Sequence, residues 1–321
     1  MWLVLPYLLP LSVILAANLG VTRRGWRLLT YLSLGILNAT AFVLGSLSLL
    51  LPYALRFLAA PAEAIEQGAQ LRVLGLALAV TAVLGFVLLL RPTRRFVARW
   101  LPLDPDSPVH STALVFALYL AIPSMSLLAG GEQWLLSGLG SLDLDASMLL
   151  SSQAVFVLAS LAGVGLGARR NLRQSLTRLG LSLPSWPQLA LAALLVAAFL
   201  LLDRIISVSW HALWPANYKL VMQSSERLYA HFASPLGALL LGLSAGVGEE
   251  MFFRGALQPR FRIPLTALLF ATGHVQYSLS PAIVEIAIIG LVLGWLRQRT
   301  NTTTCVLVHS AYNFLNMVLM P

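Results

Sequence analysis

Ten apolar runs divide the chain, near 2–20, 28–55, 71–90, 111–130, 147–167, 188–206, 235–257, 264–277, 282–296 and 304–320. Runs of roughly 17 to 25 residues are long enough to cross a bilayer as helices. The second run is longer and carries Pro52, which predicts a kinked or interfacial end. The eighth and ninth are short, which fits tilt or shielding by neighbouring helices. The pattern predicts an all-α polytopic transmembrane bundle of about eight to ten spans. Ten spans put both termini outside, with the start of the first span on the outer face. Treating 264–296 as a re-entrant pair, or merging the first runs differently, gives eight or nine.

The polar connections alternate in charge. Arg23, Arg24 and Arg27 follow the first run, and Arg56, Glu63, Glu66 and Arg72 balance one another after the second. Arg91, Arg94, Arg95 and Arg99 precede Asp104 and Asp106, whereas Glu132, Asp143 and Asp145 stand without a cation. Arg169, Arg170, Arg173 and Arg178 follow the fifth run, Arg260 and Arg262 the seventh, and Arg297 and Arg299 the ninth. This is the alternation that the positive-inside rule requires. Two connections are more than turns. Leu172, Leu176 and Leu179 recur at helical spacing among arginines, as in a short helix lying on the inner membrane surface. Residues 207–234 mix Trp210, Trp214, Tyr218 and Tyr229 with polar groups and read as an outer interfacial segment. The chain therefore divides into N-terminal helices (1–206), a connecting segment (207–234) and a C-terminal core (235–321).

Composition agrees. Of 321 residues, 58% are hydrophobic and 10% charged, and the mean hydropathy is +0.82. An ordinary soluble domain carries about 25% charged residues. The net charge of +9 comes from 21 cations. They sit in short clusters between apolar runs, which argues for membrane topology rather than nucleic acid. The single cysteine, Cys305, permits no internal disulfide.

Against this background Glu249, Glu250 and Arg254 are costly. A carboxylate at a helix centre costs about 2.5–3.5 kcal/mol on insertion scales. Glu250 and Arg254 are four apart, so they share a helix face and can pair. Glu249 is turned about 100° away. The sequence SAGVG before them supplies small residues that admit a close helix neighbour. Phe270 and His274 are four apart in the eighth run, and His309 and Asn313 four apart in the tenth. At about 1.5 Å per residue, Glu249, His274 and His309 all fall in the inner half of the membrane, which allows one hydrated pocket open toward the cytoplasm.

The set Glu249-Glu250-x-x-x-Arg254, Phe270-x-x-x-His274 and His309-x-x-x-Asn313 resembles the three motifs of the CAAX protease and bacteriocin-processing family. That family includes the type II CAAX prenyl endopeptidases and the bacterial Abi proteins. The resemblance covers about residues 235–316 and implies an intramembrane endopeptidase. It implies Glu249 as general base, His274 as the group that orients the attacking water, and His309 with Asn313 as oxyanion stabilisers. Glu250 and Arg254 would hold the first motif in place, and Phe270 would pack or wall the pocket. The chemistry is self-consistent, because peptide hydrolysis needs a base, an acid for the leaving amine and donors at the oxyanion.

Other readings of the same residues stay open. Glu249, His274 and His309 would also make a catalytic zinc set, although no His-Glu-x-x-His helix is present. Glutamate chemistry without a cofactor is the first reading and zinc the second. A buried ion cluster that locks helix packing explains Glu250 but leaves Glu249 unaccounted for. Interhelical hydrogen bonding would explain either histidine taken alone. Glu285, four residues past Pro281, reads first as interfacial, and Cys305 as a packing residue. Asp203 and Arg204 read as an outer span end. The expectation is an integral protein of a prokaryotic inner membrane that cleaves a peptide or lipidated protein. The competing classes are a non-catalytic immunity or scaffold protein and a transporter, the latter without the mirrored halves many transporters have.

Overall fold

The computed structural model describes residues 5–130 and 144–319, without the side chains of residues 5–6, 63–64 and 66–70. The start of the first apolar run, the acids Glu132 and Asp143, and the side chains of Glu63 and Glu66 lie outside the described residues. The described chain is helical throughout, an all-α bundle without a strand among those residues.

The helices are α1 (Leu5–Leu19), α2 (Arg24–Phe57), α3 (Ala62–Leu89), α4 (Arg91–Val97), α5 (Pro108–Ala129), α6 (Ala146–Val164) and α7 (Leu172–Leu179). Then come α8 (Trp186–Leu213), α9 (Pro215–Leu228), α10 (Pro235–Glu250), a π-helical segment (Met251–Leu257), α11 (Gln258–Thr272), α12 (Pro281–Arg299) and α13 (Thr302–Leu319).

Local signals explain the boundaries. Ser107 and Asp145 cap α5 and α6 by accepting from the backbone N–H three residues on. Asn171 and Gln174 form a reciprocal capping box on α7, and Gly180 closes that helix with a left-handed φ of 74°. Pro52 does not end α2, which runs on to Phe57. The connecting segment 207–234 continues α8 to Leu213 and then turns into α9, where Trp210 and Tyr218 meet edge to face.

Seven helices among the described residues are long and apolar enough to cross a membrane. The ten apolar runs differ from these seven in three places. The described part of the first run is a shorter apolar helix, Tyr7–Leu19. α13 carries Thr302, Thr303, Thr304, His309, Asn313 and Asn316, which dilute its hydropathy. Residues 235–272 form one helical stretch, although Arg262, with φ 61° and ψ 174°, breaks its axis inside α11. That backbone is strained for a residue with a Cβ. The outward faces are apolar: Leu28, Leu32, Ile36, Val43, Leu47 and Leu50 of α2 all stand exposed. Such a surface needs hydrocarbon as its solvent, and the protein is an integral membrane protein.

Two interhelical contacts position the site. α10 packs closely along α13, because a Cβ on Gly242 would meet Ser310 O at 2.7 Å and one on Gly246 would meet Ser310 Oγ at 2.1 Å. α8 closes the far side of α12 and α13 through Ala192, Val196, Phe199, Ile289, Leu293 and Val308.

Candidate active site

Ser234 caps α10 by accepting from Gly237 N–H at 3.1 Å, and Pro235 supplies the first helical residue. At its far end α10 passes into the π-helical turn directly after Glu250. Such π segments inside α-helices are frequent at functional sites.

Glu250 has both carboxylate oxygens engaged. Arg254 Nε donates to Oε2 at 3.0 Å within the same helical stretch, and neither side chain has any exposed surface. His309 Nδ1 meets Oε1 at 3.0 Å from α13. Because a carboxylate only accepts, this ring nitrogen carries a proton and Nε2 is left for other work. The terminal nitrogens of Arg254 have no hydrogen-bond partner among the described residues. Their guanidinium instead lies over the Phe270 ring, with Cζ 5.0 Å from its centroid.

Phe270 joins the three motifs. It is 2% exposed, and its ring centroid lies 4.8 Å from that of His274, 5.8 Å from His309 and 5.3 Å from Phe253. His274 sits just past the end of α11, at the entry to a short 3-10 turn, Val275–Tyr277. Its Nδ1 is 2.8 Å from Phe270 O. A carbonyl only accepts, so Nδ1 carries the proton and neutral His274 presents Nε2 as an acceptor.

Glu249 is treated differently from its neighbour. It is half-buried, and Gln153 Nε2 of α6 donates to its Oε1 at 3.5 Å. Its Oε2 is buried with no partner among the described residues. Its charge acts on Tyr229 and Tyr277. Burial, with the Glu249 charge behind it, pushes the Tyr229 phenol up to about 12, while Gln276 Nε2 donates to that hydroxyl at 3.0 Å.

Of the residues singled out in the sequence, Glu250, Arg254, Phe270, His274 and His309 thus form one chain of direct contacts, with Glu249 beside it. Asn313 follows His309 by one turn on α13 and is half-buried. No hydrogen bond or ring contact ties it to the others among the described residues. Glu285 is buried, 5% exposed, and accepts from Tyr312 OH at 3.0 Å. Cys305 is fully buried, with Sγ 3.5 Å from Leu293 O and Asn301 O. No three His, Cys, Asp or Glu side chains converge to hold a metal ion among the described residues. The sequence reading missed Gln153. Its one signal is an amide, preceded by two serines, in a largely apolar stretch, LLSSQAVFVLAS.

Residues 231–315 match the family model described as type II CAAX prenyl endopeptidase Rce1-like. The matched segment is about a quarter of the chain and holds all three motifs. It supports the recognition of the CAAX protease and bacteriocin-processing family. At the level of family it supports a CAAX-type protease. No curated protein and no solved structure matches the chain.

Proposed function

We propose that the protein is an intramembrane glutamate-type endopeptidase. It hydrolyses a peptide bond of a membrane-associated or lipidated peptide with water activated by Glu249. The observation that carries the reading is the contrast between adjacent acids. Glu250 is neutralised by Arg254 and bound by His309, whereas Glu249 keeps one buried oxygen unpartnered. An unpaired buried acceptor is a place for a water or a substrate group.

In this mechanism Glu249 Oε2 takes the proton of a water that His274 Nε2 also holds by accepting its second hydrogen. The oxygen attacks the scissile carbonyl, and charge develops on the carbonyl oxygen. Doubly protonated His309, with its Nδ1 held by Glu250, donates from Nε2 to that oxyanion, and the Asn313 amide adds a second donor. Protonated Glu249 then returns its proton to the leaving amine. Phe270 spaces the two imidazoles and excludes water behind them. The mechanism draws on no metal. The arginine alternation supports a site open toward the cytoplasmic half of the membrane. Membrane-peptide profiles of cells carrying wild-type or Glu249→Gln protein test the proposal. A fragment present only with the wild type supports it, and identical profiles from cells that contain the substrate reject it.

A further inference from the structure

Gln153 lies outside the matched segment, on a helix that carries none of the three motifs. It is nevertheless the one side chain that donates a hydrogen bond to Glu249 among the described residues. Its seat is shaped for it. A Cβ on Gly248 would stand 2.3 Å from Gln153 Oε1, 3.0 Å from its backbone oxygen and 3.1 Å from its Cβ. Only glycine at 248 lets the amide lie against α10 at this point. Gln153 is 9% exposed, and its Oε1 has no hydrogen-bond partner among the described residues. The opposite amide orientation would set two acceptor oxygens face to face, so the donor faces Glu249.

We infer that Gln153 is a positioning residue for Glu249: its neutral amide holds one carboxylate oxygen and leaves the other to the reacting water. This rests on Glu249 being the base. The choice of an amide has a chemical reason. Arg254 shows what a cation does to Glu250, which is neutralised and held as a structural group. An amide restricts the carboxylate's rotation without cancelling its charge, so the group keeps its basicity while its free oxygen keeps one direction. The contact at 3.5 Å is long, as catalytic hydrogen bonds often are before substrate binds. The N-terminal helices thereby contribute to the reaction itself and not only to anchoring.

The test uses the full-length protein in lipid nanodiscs and two readouts. With a fluorogenic farnesylated C-terminal peptide as probe, Gln153→Leu is expected to lower kcat between about tenfold and a hundredfold, with KM within about twofold, and to shift the pH dependence of kcat. Gln153→His keeps an N–H donor and is expected to recover part of the loss. The second readout needs no cleavage. Infrared difference titration, with the Glu249 band assigned by its absence in Glu249→Gln, is expected to show its midpoint moved in Gln153→Leu by about half a pH unit or more. Gly248→Ala displaces the same amide from the other side and is expected to reproduce that movement. An unmoved midpoint in both folded variants overturns the inference, as does failure of both to insert, which would make Gln153 a packing residue. Cleavage by Glu249→Gln at the wild-type rate overturns the function itself, a result separate from either.

Discussion

His309 Nδ1 on α13 lies 3.0 Å from Glu250 Oε1 on α10, across 59 residues of sequence. Both groups are buried. This bond joins the first and third motifs and completes a triad with Arg254. Its physical role is to satisfy a charge that the bilayer interior would otherwise penalise.

Breaking the triad should therefore cost stability first. Removing one partner of a buried ion pair typically destabilises by about 3–5 kcal/mol. Arg254→Ala and Glu250→Ala should each lower the thermal unfolding midpoint in detergent and the yield of folded protein, with activity lost in parallel. The double variant should cost less than the sum, because each single change strands a buried charge. Additive losses would show that the pair is not coupled.

Glu249→Gln separates differently. The substitution keeps volume and hydrogen bonding, so insertion and unfolding temperature should stay at wild-type values. Cleavage should fall by at least about a hundredfold, the scale of a lost general base. A metal chelator applied to the wild type should leave cleavage intact. Loss of activity under chelation with recovery on zinc addition would move the mechanism to metal chemistry.

Gly246 is a packing prediction. Gly246→Ala places a methyl 2.1 Å from Ser310 Oγ, a hydroxyl with no hydrogen-bond partner among the described residues. Overpacking of this kind costs about 1–3 kcal/mol. Ser310→Ala in the same chain removes the clashing atom and should restore part of the lost thermal stability, though contacts at 3.0 and 3.1 Å to backbone remain. No recovery would mean that the helix contact is set by the backbone alone.

Outside the spans, Arg91 grips Asp106 with Nε and Nη2 each 2.7 Å from a carboxylate oxygen. That hydrogen bond holds the Asp106 carboxyl below the usual range. A carboxylate depressed in the folded state stabilises above its unfolded value, roughly pH 3.9, and the gain disappears as pH falls through the folded value. Unfolding temperatures of wild type and Asp106→Asn should differ near neutrality and converge in acid. Both side chains are exposed, so the difference should be small and shrink with salt.

Much of this fold was legible in the sequence because hydrocarbon imposes it. Long apolar runs and the leucine spacing of α7 are one-dimensional signals of a one-dimensional constraint. Glu250 and Arg254 could be paired from spacing, since the helix itself sets their separation. Partners supplied by other helices could not. Nothing periodic announces that Gln153 meets Glu249, that His309 meets Glu250, or that Phe270 touches Arg254 and His309, whereas its spacing of four to His274 was visible. The axis break at Arg262 was equally hidden, because the residue has no side-chain reason to adopt a positive φ. Pro52 lies inside α2, five residues before its last residue, Phe57.

The Glu250–Arg254 pair bears on how the protein is made. Its two charges lie on one helical stretch, so that segment carries its own counter-ion while it leaves the ribosome. Neutralisation does not wait for a neighbour. His309 is synthesised 59 residues later and can join a pair that is already closed. Glu249 has no such companion in its own segment, and Gln153 has already been made. Its amide partner lies on a helix made before it, so the order of translation places that helix ahead of the carboxylate it meets.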